Sequence, residues 1–127
     1  MVAKCCCGAC SIEVEGPPVL NGVCHCANCK RRTGGAFGWS CYFRSEDVTA
    51  ITGQFETYRI GSHNPQERHF CAACGTTLHW TSDFMPGHHG VAGGCFRTEE
   101  IGPPTVTVSN ADRCDWVGLP EAWATTP

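Results

Sequence analysis

Arg68-His69-Phe70-Cys71-Ala72-Ala73-Cys74-Gly75-Thr76-Thr77-Leu78-His79-Trp80 reads as a strand, a knuckle and a second strand. Residues 67–70 and 76–80 are rich in β-forming side chains. Between them, the C-x-x-C spacing brings two sulfurs to one side of a tight turn. Gly75 supplies the positive φ that lets backbone amides face those sulfurs. Zinc takes four ligands in a tetrahedron, with sulfur at about 2.3 Å. Cys71 and Cys74 therefore need a second pair, and Cys5-Cys6-Cys7-Gly8 is the natural donor. A closed site of Cys5, Cys7, Cys71 and Cys74 is structural. The alternative for Cys71 and Cys74, a redox pair, expects a βαβ setting that the flanking pattern does not supply.

Outward from this knuckle the chain continues in short β segments. Residues 11–15, 36–43, 48–51, 55–60, 90–96 and 105–108 carry strand patterns, and residues 45–48 form a short helical turn behind Ser45. Fifteen glycines and eight prolines punctuate these runs. No window repeats apolar residues at i, i+3, i+4 and i+7 over three turns, so no long amphipathic helix is expected. The fold class is mostly β: small sheets clipped together by zinc knuckles.

The chain has 127 residues, 42% of them hydrophobic, which fits one globular domain over 1–127. A net charge of −3 gives no pull toward nucleic acid or an anionic membrane. No apolar run is long enough to span a bilayer. Met1-Val2-Ala3-Lys4 leads into the first cysteines without the apolar stretch of a signal peptide. The expected location is therefore cytoplasmic, where clusters among twelve cysteines read as metal sites rather than disulfides.

Cys24-His25-Cys26-Ala27-Asn28-Cys29 supplies three ligands to a second metal from one side of a loop. Three protein ligands leave a fourth position for water, another protein group or a substrate thiol, the pattern of a reactive zinc. The competing reading is a second structural site completed by another cysteine. His25, His69, His79 and His88 are candidate fourth ligands, although each reads as an ordinary histidine, and His25 points away from the metal between two ligands. Cys41 and Cys95, in strand patterns, read as small buried hydrophobes. Cys6 faces away from its neighbours' metal, and Cys10 and Cys114 receive no role. Lys30-Arg31-Arg32 is a solvated basic face by default, with anion binding beside the second metal as the alternative.

Three stretches together resemble a known family. They are Cys5 to Ala9, Cys24 to Gly34 and Arg68 to Thr76, with Arg113-Cys114-Asp115-Trp116-Val117 as a further likeness near the end. The set resembles the glutathione-dependent formaldehyde-activating enzymes, whose domain is shared with centromere protein V. The resemblance implies small coiled antiparallel sheets, a structural zinc at Cys5, Cys7, Cys71 and Cys74, and a second zinc at Cys24, Cys26 and Cys29. It implies a carbon–sulfur lyase acting in the direction of condensation, joining glutathione to formaldehyde as S-hydroxymethylglutathione. Cys24, Cys26 and Cys29 would then be the catalytic centre, with glutathione as co-substrate. Its carboxylates would pair with Arg31, Arg32 or Arg44, since guanidinium binds carboxylate in a bidentate fork. Phe37 and Trp39 read first as core packing, with a groove wall as the alternative, and His25 is the candidate proton donor. The partners expected are a small thiol and an aldehyde, with no nucleic acid and no membrane. A thiol-adduct carrier and a zinc-ribbon interaction module are the alternatives.

Overall fold

The computed structural model describes residues 1–61 and 65–127. In chain order the elements are β1 (Val2–Lys4), β2 (Ser11–Val14), β3 (Leu20–Cys24), α1 (Ala27–Thr33), β4 (Gly38–Arg44), β5 (Val48–Thr52) and β6 (Phe55–Ile60). They continue with β7 (Gln66–Cys71), β8 (Thr77–Ser82), β9 (His88–Ala92), α2 (Thr98–Ile101), β10 (Val106–Val108) and β11 (Ala124–Thr125). The fold is mostly β, as the sequence predicts. A three-stranded sheet runs β1-β2-β5, and a larger one runs β11-β10-β3-β4-β9-β8-β7-β6. Pairing is antiparallel except at β10, which lies parallel to both β3 and β11.

The core forms where the two sheets face each other. Ala3 and Ile12 from the small sheet meet Cys41, Phe43, Leu78 and Val91 from the large one, all at 0% exposure. Strict alternation along β4 produces this arrangement. Cys41 and Phe43 point into the core, while Gly38, Ser40 and Tyr42 point to the opposite face. Phe43 packs against Phe96 with ring centroids 5.8 Å apart, and burying a ring of that size contributes roughly 1.5–3 kcal/mol. Cys41 thus takes its expected place as a small apolar side chain.

The face opposite the core carries the site, and strand register assembles it. Trp80 stands opposite Gly90 on β9 and opposite Arg68 on β7, and directly opposed residues share a face. A Cβ at Gly90 would fall inside the Trp80 indole, so this glycine is what lets the ring lie flat on the sheet.

The structure departs from the sequence pattern in several places. Residues 24–29 are not a simple loop, because Cys29 belongs to α1. That helix has seven residues, too few to show a helical period. Its ends are marked chemically: the Cys26 sulfur accepts from the Cys29 N–H, and Gly34 at φ 70° closes the C-terminus. Secondly, the expected strand 90–96 stops at Ala92 and turns into a 3-10 segment over Gly93–Cys95, so Cys95 is not in a strand. Gly93 is needed there, because a Cβ would collide with the Trp39 ring. Finally, β1 and β3 are strands that no alternating pattern announces. Each is fixed by its partners, β2 for the first and β4 and β10 for the second.

Candidate metal centres and thiol site

The first cluster joins the two sheets. Cys5 and Cys7 follow β1 of the small sheet, while Cys71 ends β7 of the large one and Cys74 lies in the turn to β8. Their four sulfurs all lie within 4.8 Å of one another. Cys5 Sγ stands 3.6 Å from Cys7 Sγ, which is 3.8 Å from Cys71 Sγ. A tetrahedron with bonds of about 2.3 Å has edges of about 3.8 Å, so donor type and spacing both fit zinc.

The two knuckles are built alike. The Gly8 N–H donates to the Cys5 carbonyl at 3.0 Å, and the Gly75 N–H donates to the Cys71 carbonyl at 2.8 Å. Both glycines have φ near 78°, a region where a side chain is strained. The Thr76 hydroxyl beside Cys74, with the Thr76 and Cys7 amides, pulls the Cys74 thiol down to about 5, which favours the thiolate that a metal needs. Cys10, left without a role by the sequence, is buried here, and its N–H donates to Cys5 Sγ at 3.2 Å.

The second cluster sits at the edge of the opposite face. Cys24 ends β3, Cys26 caps α1 and Cys29 lies in the first turn of α1. Their sulfurs again lie within 4.8 Å of one another, and all three residues are half-buried. A hydrogen bond from Cys29 leads the causes that hold the Cys24 thiol at about 5, and the Ser109 hydroxyl at 3.6 Å adds to it. The same contact pushes the Cys29 thiol up, and burial adds to it. Ser109 holds φ at 56°, an uncommon setting for a non-glycine residue. Three thiols without a fourth protein donor match a zinc site of the reactive type.

Among the described residues no histidine joins either cluster. His25 is fully buried, its Nε2 3.0 Å from Thr107 Oγ1 and its ring edge-on to Phe37. It points away from the sulfurs, as its place between two ligands predicts. It ties β3 to β10 rather than facing a substrate. His69 and His79 stack with centroids 4.5 Å apart on the core-facing side, and His88 is held by the Pro86 carbonyl.

The basic tract divides. Lys30 Nζ donates to the Asp112 carbonyl, and Arg31 is exposed on α1. Arg32 folds back over the sheet, its Cζ 4.2 Å from the Trp80 ring centroid. A Cβ at Gly38 would collide with Arg32 Nη2 and press on Cys29 Cβ at 3.1 Å, so the guanidinium reaches the side of the cysteine cluster. Arg44 is not brought there. It ends β4, six residues or about 20 Å along the strand from Gly38, and pairs with Asp47 at 3.2 Å. Phe37 packs on His25, and Trp39 Nε1 donates to Asn21 Oδ1 at 2.7 Å. Both are structural rather than groove walls.

Tyr42, Trp80 and Arg68 share the face with Arg32, and none was singled out from the sequence. Tyr42 and Trp80 look there like ordinary strand aromatics, and only the strand register reveals their side. Burial pushes the Tyr42 phenol up, and the charges of Cys29 and Cys24 push the same way, which places it within electrostatic reach of the cluster.

Fold and site together define a mostly β protein with two cysteine clusters able to hold metal ions. A family model described as glutathione-dependent formaldehyde-activating enzyme matches residues 1–111, and the chain belongs to that family. A crystal structure of a Rhodobacter sphaeroides protein shares the fold with a TM-score of 0.63 and 24% identity, over 82% of this chain and 97% of that one. No curated protein matches this chain. Among the described residues no helix is long and apolar enough to cross a membrane.

Proposed function

We propose that the protein is a carbon–sulfur lyase-type enzyme holding zinc at both clusters. It takes glutathione or a similar small thiol beside Cys24, Cys26 and Cys29 and joins it to formaldehyde or a related aldehyde. The observation that carries this reading is the set of three converging sulfurs, half-buried, on a face lined by Arg32, Trp80 and Tyr42. Twelve cysteines free of disulfides suit the reducing cytoplasm that such chemistry needs.

The reaction is an addition. The thiol gives up its proton, its sulfur forms a bond to the carbonyl carbon, the C=O π pair moves to oxygen, and that oxygen takes a proton. Zinc in the cluster supplies a lowered pKa for an incoming thiol. The chain's own residues do the rest. Cys24, Cys26 and Cys29 set the place where the sulfur arrives. Arg32 and Arg31 stand at the site's rim as partners for a carboxylate.

Tyr42 replaces His25 as the proton donor. Its oxygen accepts the Trp80 indole N–H at 3.2 Å, which leaves its own O–H free to donate. Its raised pKa keeps that proton in place at neutral pH.

The test is the rate of S-hydroxymethyl adduct formation with glutathione and formaldehyde, compared with the uncatalysed reaction. An enzyme accelerates approach to equilibrium. A carrier would hold the adduct without changing the rate, and that result would reject the enzymatic reading.

A further inference from the structure

Two arginines on the site face lack an acidic partner. Arg44, Arg59 and Arg97 pair with carboxylates. Arg32 and Arg68 form no ion pair among the described residues, and Nη2 of each is buried without an acceptor there. Arg68 is only 7% exposed, and its one side-chain hydrogen bond among the described residues runs from Nε to Gln66 Oε1 at 3.0 Å. A guanidinium taken out of water without an anion is costly. Here two of them flank one ring, Arg32 stacked on Trp80 and Arg68 beside it across the strands.

The cysteine cluster supplies negative charge on this face, with Arg32 Nη2 and Cys29 Cβ both against Gly38. Burial first and then the charge of Arg32 disfavour the charged form of Arg68, while Cys29 and Cys26 favour it. The cluster alone does not balance the pair. Three thiolates around one Zn²⁺ carry a single negative charge, against two positive charges on the guanidiniums. Before a thiol arrives one positive charge is left over, and the two unpartnered Nη2 groups are rigid planar donors that match a carboxylate in geometry.

We propose that Arg32 and Arg68, with Trp80 between them, form a carboxylate-recognition pair that selects thiols bearing a carboxylate over neutral thiols. This rests on the reading that the three-cysteine cluster accepts a thiol. The sulfur is placed at the cluster, and the carboxylate is placed against the arginines. Arg68, on a sheet strand, is the fixed member. Arg32, on the short helix α1, completes the fork once the helix is held by its cysteines. A neutral thiol brings only its sulfur's charge to the cluster and no acceptor for the two unpartnered Nη2 groups.

The experiment is calorimetric titration of the metal-loaded protein with 3-mercaptopropionate and with its methyl ester, two thiols that differ in the carboxylate charge. Wild type should bind the acid more tightly than the ester by on the order of tenfold. Arg68→Gln and Arg32→Gln should each remove that preference, lowering affinity for the acid more than for the ester. Because Arg68 is buried, metal content and melting temperature are read for its variant. Arg32→Gln, at a half-buried position, carries the test if Arg68→Gln does not fold. Arg68→Lys, which keeps charge without the fork, should recover only part of the preference. Equal affinity of wild type for acid and ester overturns the carboxylate pair alone. Binding of neither thiol overturns the thiol reading and this proposal with it.

Discussion

The Trp80 indole donates its N–H to the Tyr42 phenol oxygen at 3.2 Å, with the two rings edge to face at 84°. The bond fixes the direction of the phenol, and the indole's flat face is left for Arg32. Tyr42 lies on β4 and Trp80 on β8, with β9 between them. The contact therefore bridges over Gly90, which stands opposite both residues.

Tyr42→Phe tests the proton donor. The substitution keeps the ring and removes the hydroxyl. The Trp80 N–H loses its acceptor, which costs about 1–3 kcal/mol of stability. Adduct formation should slow by on the order of a hundredfold, the lower range for a positioned acid, with little change in thiol affinity. An unchanged turnover rate would remove Tyr42 from the chemistry.

Gly90→Ala tests the platform. The new methyl would overlap the Trp80 ring, so the indole or strand β9 must move. A loss of roughly 1–3 kcal/mol in denaturant unfolding is expected. Gly118→Ala, where a Cβ meets nothing within 4 Å, should leave stability unchanged. Equal effects at the two positions would contradict the close approach.

Metal analysis should find two zinc ions per chain. Cys74→Ser should remove one of them and sharply lower the melting temperature, because the first cluster joins the two sheets. Cys29→Ser should also remove one, with a much smaller melting shift, since the second cluster joins only β3 to a short helix. Chelator should strip the three-cysteine site first. Reversed order of loss would exchange the structural and reactive roles.

His79 sets a pH dependence. Burial first, then the neighbouring His69 and His89, holds its pKa down at about 3, against about 6.5 in an unfolded chain. Between those values the unfolded chain binds the extra proton. Stability is therefore fully present above about pH 6.5 and is lost as pH falls toward 3. The slope from this group is at most about 1.4 kcal/mol per pH unit. His79→Leu should flatten the fall in denaturation midpoint between about pH 6.5 and 5, and a variant as steep as wild type would refute the assignment.

The four-cysteine cluster was legible because its information is local. Each knuckle needs only two sulfurs at short spacing and a glycine at positive φ, and both Gly8 and Gly75 stand where that geometry demands them. The three-cysteine cluster was legible for the same reason, since three ligands fall within six residues. The helix that holds Cys29 was not, because seven residues are too few for a periodic signal. Arg44 was grouped with Arg32 on charge alone, and the length of β4 separates them.

By itself the sequence determined a mostly β chain with two thiol clusters, because short-range spacing and turn chemistry decide those features. Only the tertiary structure decided which side chains surround the reactive cluster. Tyr42, Trp80 and Arg68 come from three different strands, and they share a face solely through cross-strand register. A one-residue slip in any of those strands would turn its side chain into the core. Register is set by pairing and packing between distant segments, so no local pattern could announce the site's walls.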